Sequence, residues 1–83
     1  MALNVDMRVY ELISKQFGVD VKHLCSETNL IFDLGASSLQ TIELVIELEE
    51  EFNISISDEV LSELTTVNDH IDCVRKLLHK RSS

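Results

Sequence analysis

Apolar residues recur at helical spacing through three segments of this 83-residue chain, and no proline interrupts any of them. Residues on one face of an α-helix repeat every three or four positions, so this spacing predicts amphipathic helices. The first is expected over 4–17, ending at Gly18, the second over 38–52, and the last from Thr66 onward. The predicted buried stripe of the last helix comprises Val67, Ile71, Val74 and Leu78. The pattern therefore favours an all-α fold.

The segments between those helices predict one short helix and one long loop. Ser57 followed by Asp58 and Glu59 is typical of a helix start, because acidic side chains favour the positive end of the helix dipole. We therefore expect a short third helix over 57–64. The stretch 19–36 mixes polar residues and glycine with isolated apolar residues, which indicates a loop with short helical turns. Five apolar side chains are expected to attach this loop to the core: Val21, Leu24, Leu30, Ile31 and Leu34. The predicted architecture is a small four-helix bundle.

The length allows a single domain, 1–83, which buries only about 60 to 65% of its unfolded surface. The two cysteines, Cys25 and Cys73, form no close pair of the kind found in metal knuckles or redox motifs, so we expect reduced thiols. We find neither a signal-peptide pattern nor a run of about 20 apolar residues that could span a membrane. The sequence predicts a monomeric cytoplasmic protein.

Charge is unevenly distributed along the chain. No Lys or Arg lies between His23 and Val74, whereas that stretch holds twelve of the fifteen Asp and Glu residues. The formal net charge of -8 argues against nucleic acids and anionic membranes as partners, because both repel a polyanion. It favours partners with basic surfaces.

The start of the second helix is unusually well marked. Ser37 is a favoured N-cap residue, and Gln40 three positions later completes a capping box of the Ser-x-x-Gln type. Ser38 then occupies the first helical position, where backbone N–H groups lack intrahelical partners and favour a bound anion. A serine there is more often only a good N-terminal residue. By itself, the position leaves both a phosphate site and a plain helix start open.

The sequence around Ser38 resembles the attachment motif of acyl carrier proteins. That family's pattern is Asp-Leu-Gly-Ala-Asp-Ser-Leu, and residues 33–39 read Asp-Leu-Gly-Ala-Ser-Ser-Leu. The resemblance covers nearly the whole chain. Its further matches are Gly18, Val19, Thr28, Leu30, Thr41, Glu43, Leu44, 49–52, Ile56, Asp58 and 65–67.

The resemblance implies that a phosphopantetheinyl transferase joins 4'-phosphopantetheine, taken from coenzyme A, to Ser38. It also implies a carrier rather than an enzyme, whose cargo is held as a thioester while acyl-transferring and elongating enzymes supply catalysis. Ser37 replaces the Asp that usually precedes the modified serine, and Gln40 replaces an Asp that is common two positions after it. Both changes preserve a helix cap but remove negative charge where a transferase is expected to bind.

The apolar residues of the second helix cover an arc of roughly 220° on a helical wheel, whereas a core face needs little more than about 100°. The excess predicts an apolar flank with an acidic rim, the part of the helix through which the resemblance implies docking. The predicted partner-binding residues are Leu39, Ile42, Glu43, Ile46, Glu49, Glu50, Ile56 and Asp58. The other interpretation is that these apolar side chains pack against the long loop while the acids form a solvated face.

An acyl tail would gain about 0.8 kcal/mol for each methylene buried between helices two and three. The candidate lining residues are equally ordinary core: Val45, Ile46, Leu48, Ile56, Val60 and Leu64. Two other functions stay open, a carrier of aminoacyl or peptidyl groups and an unmodified acidic module that binds a basic partner. We predict no metal site, since there is no calcium-binding loop and the three histidines are scattered.

Overall fold

Four α-helices account for most of the computed structural model, which describes residues 4–82 and the side chains of 4–80. The helices are α1 (Val5–Phe17), α2 (Ser38–Phe52), α3 (Asp58–Leu61) and α4 (Val67–Ser82), with one 3₁₀ turn at Val21–His23. Residues 4–82 contain no β-strand, only an isolated antiparallel bridge between Asn29 and Thr66. The predicted all-α four-helix fold with a long connection between the first two helices is confirmed.

Local signals in the sequence set the ends of α1. The Asn4 Oδ1 accepts a hydrogen bond from the Met7 N–H at 3.0 Å, which caps the first turn. Gly18 ends the helix with a φ of +67°, in the left-handed region where glycine carries no Cβ penalty.

The helices α1 and α2 are antiparallel neighbours. Arg8 near the start of α1 pairs with Glu51 near the end of α2, at 2.8 Å from Nε to Oε2. The Gln16 amide, near the end of α1, donates to Glu43 in the first half of α2 at 3.2 Å. The α4 helix packs against both and is tied to α1 by Arg75, whose Nε donates to Asp6 at 3.0 Å.

The apolar stripes of these three helices meet in one main core. It also takes in Leu30 from the long loop. The buried members are Val9, Leu12, Ile13, Leu30, Leu44, Leu48, Phe52, Val67, Ile71 and Val74. A smaller core of Val45, Ile56 and Cys73 lies beside it, with Ile54, Leu61, Leu64 and Leu77 packed on it. The predicted stripe of the last helix therefore faces the core.

The long loop is attached to the core less completely than the sequence predicts. Leu30 is buried, and Leu24 and Leu34 are partly buried against the main core. The Leu30 N–H also donates to the Thr65 carbonyl at 2.9 Å, which fixes the loop to the start of α4. The prediction for Ile31 is wrong, because its side chain points outward and is exposed.

The third helix is shorter than expected. Ser57 is its N-cap, as its sequence indicates, with Oγ accepting from the Val60 N–H. The last α-helical bond joins the Ser62 N–H to the Asp58 carbonyl, and the chain continues through tighter turns, in which the Leu64 N–H donates to the Leu61 carbonyl. These turns bring Leu61 and Leu64 onto the smaller core and redirect the chain into α4. The predicted span 57–64 thus contains one helical turn, Asp58–Leu61.

Candidate functional site

The segment before α2 is folded into a hydrogen-bonded turn that delivers the chain to the helix start. The Asp33 N–H donates to the Asn29 carbonyl at 2.8 Å, and the Ala36 N–H donates to the Leu30 carbonyl at 2.9 Å. Gly35 has a φ of +67°, a conformation that residues with a side chain rarely adopt. The Asp-Leu-Gly-Ala sequence therefore forms a defined approach to Ser37 rather than a loose linker.

Ser37 and Gln40 form the two halves of a capping box. The Ser37 Oγ accepts from the Gln40 N–H at 3.2 Å, and the Gln40 Oε1 accepts from the Ser37 N–H at 3.0 Å. Ser37 has extended backbone geometry, so the first residue with helical geometry is Ser38. The box thus occupies the Ser37 hydroxyl and leaves that of its neighbour available.

Ser38 is exposed at the first position of α2, and its hydroxyl makes no hydrogen bond to any residue that the structure describes. The backbone N–H groups of Ser38 and Leu39 also lack acceptors within residues 4–82. These donors lie at the positive end of the helix dipole, roughly +0.5 elementary charge. A phosphate ester on the Ser38 Oγ would therefore meet unpaired N–H groups and a favourable potential.

The apolar flank predicted for α2 is on the surface. Leu39 is 65% exposed, and Ile42 and Ile46 are also exposed. Leu44, Val45, Leu48 and Phe52 are the residues of α2 that are buried. These apolar side chains are therefore exposed to solvent and are not packed against the long loop, as the other interpretation requires.

The acidic residues of the predicted rim differ in their surroundings. Glu43, Glu50 and Asp58 are exposed, and Glu43 accepts a bond from Gln16. Glu49 is half-buried, and its Oε2 accepts a hydrogen bond from the Ile56 N–H at 2.7 Å. Glu49 therefore holds the segment after α2 in place in addition to contributing charge.

The prediction that Ile56 extends the partner surface is wrong. Its side chain is 9% exposed and packs against Val45 and Cys73 in the smaller core. The bond from its N–H to Glu49 turns the chain inward at this point, a tertiary contact that residue spacing does not report. Asp58, two residues later, returns to the surface at the start of α3.

One exposed residue near Ser38 was not singled out by the sequence. Phe32 is 87% exposed. It stands in the run Leu30-Ile31-Phe32, where the turn buries the first side chain and exposes the next two. Three consecutive apolar residues in a loop are the signal that could have indicated this, since a single turn cannot direct all three into one core.

The residues proposed to line a cargo site between α2 and α3 do not surround one cavity. Leu48 belongs to the main core, Val45 to the smaller core, and Ile46 is exposed. A groove of about 550 Å³ lies instead between the 55–64 segment and α4. Its apolar lining comprises Ile56, Val60, Leu64, Cys73 and Leu77.

Other site types find no support within the part of the chain that the structure describes. No three or more His, Cys, Asp or Glu side chains there are placed to hold a metal ion. None of its helices is long and apolar enough to cross a membrane.

An all-α bundle that presents a free serine hydroxyl at a helix start, beside an exposed apolar flank with acids around it, is the arrangement of a small carrier protein. The sequence model of the family described as "Phosphopantetheine attachment site" matches residues 8–74. The acyl carrier protein from Enterococcus faecalis has a solved structure with 33% identity, covering 88% of this chain and 92% of that one, at a TM-score of 0.77. The solved structure of the acyl carrier protein from Thermotoga maritima has 34% identity, covering 89% of this chain and 86% of that one, at a TM-score of 0.76. The chain belongs to the acyl carrier protein family.

Membership fixes the cofactor class and the general role. The matched domain is the site of covalent 4'-phosphopantetheine attachment. Proteins of this family are carriers and not enzymes, and they work with a phosphopantetheinyl transferase and with biosynthetic enzymes. The residues present suit the group, since an exposed hydroxyl and two N–H groups, all without partners among the described residues, meet at the start of α2.

Proposed function

We propose that this chain carries acyl groups as thioesters on a 4'-phosphopantetheine arm joined to the Ser38 Oγ. It delivers them to enzymes of fatty acid, lipid or polyketide biosynthesis. The observation that supports the attachment point most strongly is the difference between two adjacent serines. The Ser37 Oγ is held in the capping box, whereas the Ser38 Oγ is exposed and makes no hydrogen bond within the described residues.

Attachment requires a reachable oxygen and little else from this chain. The Ser38 oxygen forms a bond to the phosphorus next to pantetheine in coenzyme A, the pyrophosphate bond breaks, and adenosine 3',5'-bisphosphate leaves. The hydroxyl proton passes to a base on the transferase. The unpaired N–H groups of Ser38 and Leu39 then stabilise the phosphodiester against the repulsion of the acidic chain. Once attached, the arm supplies a thiol that holds acyl groups as activated thioesters.

Partners dock on the exposed flank of α2 in this proposal. Leu39, Ile42 and Ile46 supply apolar contact area, and the exposed acids around them are Glu43, Glu50 and Asp58. Glu49 is partly exposed and adds to this surface, whereas Ile56 is buried and does not belong to it. Rim charges of this kind raise association rates and are screened over about 8 Å at physiological salt. We expect encounters that are fast, weak and salt-sensitive, so that a monomeric carrier can leave each enzyme after one transfer.

The test of this function is the intact mass of the chain after coexpression with a broad-specificity phosphopantetheinyl transferase. We expect the wild-type chain to gain the mass of one phosphopantetheine group. Ser38→Ala removes the accepting oxygen and should gain nothing. The matched control is Ser37→Asp, which keeps a capping side chain but removes the neighbouring hydroxyl, and it should be modified like the wild type.

Two outcomes would contradict the proposal. A wild-type chain of unchanged mass would favour the unmodified interaction module. Modification that persists in Ser38→Ala and disappears in Ser37→Asp would move the attachment to the neighbouring serine. A carrier of aminoacyl or peptidyl groups would also gain the phosphopantetheine mass. To distinguish it from a carrier of acyl groups, the protein is isolated from its own cell and the acid bound to the arm is identified.

A further inference from the structure

Phe32 exposes a large aromatic side chain that does nothing visible for the fold. At 87%, its exposed fraction is the greatest among the large apolar side chains that the structure describes. Burial of a phenylalanine side chain stabilises a fold, and the exposed Phe32 side chain contributes little of that stabilisation. Exposed aromatic residues held at a functional surface are typical of binding anchors.

The backbone under Phe32 is held rigidly. The Asn29 Oδ1 accepts hydrogen bonds from the N–H groups of Ile31 and Phe32, each at 2.9 Å. The Asp33 Oδ2 closes the turn by accepting from the Asn29 N–H at 2.8 Å. Because the turn is already ordered, a partner that binds Phe32 loses little further entropy in fixing the backbone.

The same turn lies next to the attachment point. The Leu30 carbonyl accepts from the Ala36 N–H at 2.9 Å, and the Ile31 carbonyl accepts from the Gly35 N–H at 3.1 Å. Ser38 follows Ala36 by two residues, a chain length of at most about 7 Å. Phe32 and the Ser38 hydroxyl therefore belong to one end of the bundle.

The chemistry of this end favours a partner with an apolar pocket and a basic rim. Ile31, Phe32 and Leu39 are exposed apolar residues around the start of α2. Asp33 and Glu43 are exposed acids beside them, whereas positions 37 and 40 are uncharged in this chain. A partner at this end would therefore meet apolar area where charge is absent, and a basic rim would complement the acids that remain.

We propose that Phe32 is the apolar anchor through which the phosphopantetheinyl transferase binds this chain. The inference rests on the proposed modification of Ser38. A transferase must bring phosphorus within bonding distance of the Ser38 Oγ, so its surface must cover the residues around that atom. Enzymes that act on the thiol at the far end of the arm have no such requirement. Phe32 therefore belongs first to the transferase interface.

The test compares steady-state transfer from coenzyme A to purified variants, using a broad-specificity transferase that modifies the wild-type chain. Phe32→Ala should lower kcat/KM by about tenfold or more, through KM, since a lost docking contact is a lost binding contact. Phe32→Leu keeps much of the apolar surface and should retain most of the rate. The matched control is Met7→Ala, another exposed apolar side chain near the opposite end of the bundle.

The position of the control follows from the helix pairing. Arg8 pairs with Glu51, which lies 13 residues after Ser38, or about 20 Å along α2. Met7→Ala should therefore leave transfer unchanged, and the melting temperature of Phe32→Ala should match that of the wild type.

Equal kcat/KM for the wild type and Phe32→Ala would overturn the inference while leaving the proposed function standing. Equal losses in Phe32→Ala and Met7→Ala would also overturn it, because the effect would then be general. A wild-type chain that no transferase modifies would overturn the proposed function itself, so the two failures are distinguishable.

Discussion

His70 is a buried titratable residue on the inner face of α4. Its side chain is 1% exposed, and its Nδ1 lies 2.7 Å from the Thr66 carbonyl oxygen. Because a carbonyl oxygen only accepts, Nδ1 carries the hydrogen in this arrangement. Burial lowers the pKa of His70 from its ordinary value of 6.5, although the Thr66 carbonyl and the Asp69 charge oppose the shift. The neutral ring is therefore the form that the fold accommodates.

This burial predicts a loss of stability in weakly acidic solution. Since the pKa of His70 is lower in the folded state than in the unfolded state, the unfolded chain binds the proton first as pH falls below 6.5. The free energy of unfolding should then decrease by up to about 1.4 kcal/mol per pH unit until the folded-state pKa is reached. Urea denaturation at several pH values between 7.5 and 5.5 measures the free energy of unfolding, and therefore its slope with pH.

Two variants compare His70 with an exposed histidine. His70→Gln keeps a donor for the Thr66 carbonyl but cannot titrate, so its slope should flatten whatever its absolute stability. His23→Gln, at an exposed histidine, is the matched control, and a slope that flattens equally in both variants would contradict the assignment to His70. A His70→Gln protein with an unchanged slope would show that another group is responsible.

Residue-level roles were predictable where they depend on neighbours in sequence. The Ser37–Gln40 capping box is present because both partners lie within one helical turn. The burial of Ile56 was not predictable, since it depends on how a turn is oriented against the bundle. The run 30–32 could indicate that some of its side chains are exposed, but not that Phe32 is the most exposed of them. The roles of the acids at 49–51 also depend on contacts that the sequence does not show. As an adjacent run they suggest mutual repulsion, yet Glu49 binds the Ile56 N–H and Glu51 pairs with Arg8.

At the scale of elements, α4 begins with a side-chain network as complete as that of α2. The Asp69 Oδ2 accepts from the N–H groups of Thr65 and Thr66, at 2.9 and 3.0 Å, and the Thr66 Oγ1 accepts from the Asp69 N–H at 3.1 Å. The bonds from the Thr66 and Thr65 backbones lower the pKa of Asp69. The sequence predicts that the last helix begins at Thr66, but it gives no signal for the bond from Thr65.

The network predicts a specific cost for removing Asp69. Asp69→Ala leaves two N–H groups without their acceptor and should lower the free energy of unfolding by about 1 to 2 kcal/mol. Asp72→Ala is the matched control on the same helix, because Asp72 is exposed and accepts one bond, from Asn68 at 3.3 Å. It should cost less than about 0.5 kcal/mol. Equal losses in urea denaturation would show that the cap does not stabilise α4.

Helix boundaries followed from the sequence where a cap and an apolar stripe agree, as in α1 and α2. The third helix is the exception, since Ser57 marks its start but nothing local marks its end. The helix ends at Leu61 with Ser62 as its C-cap, and the tighter turns that follow place both Leu61 and Leu64 on the smaller core. Packing between elements, rather than propensity within one, sets that boundary.

At the scale of the whole molecule, the fold separates the charges. The α2 and α3 helices contain acids and no Lys or Arg, whereas Arg8, Lys15, Arg75, Lys76 and Lys80 lie on α1 and α4. Pairing of Arg8 with Glu51 and of Arg75 with Asp6 uses basic residues to join helices. The outer side of α2 presents its acids and exposed apolar residues along the helix that begins at Ser38. The four-helix architecture was predictable from caps and apolar spacing, whereas the carrier role was predictable only from the resemblance of residues 33–39 to the attachment motif.

The central claim is that the Ser38 Oγ bears the phosphopantetheine group, and fragmentation of a modified peptide tests it most directly. Trypsin is unsuitable because no Lys or Arg lies between residues 23 and 74, but cleavage after Asp33 and Glu43 releases residues 34–43 with both serines. After treatment with a transferase and coenzyme A, N-terminal fragments that end at Ser37 should have unmodified masses, and those that end at Ser38 should carry the added group. Added mass on a fragment that ends at Ser37, or a peptide that stays unmodified, would contradict the claim.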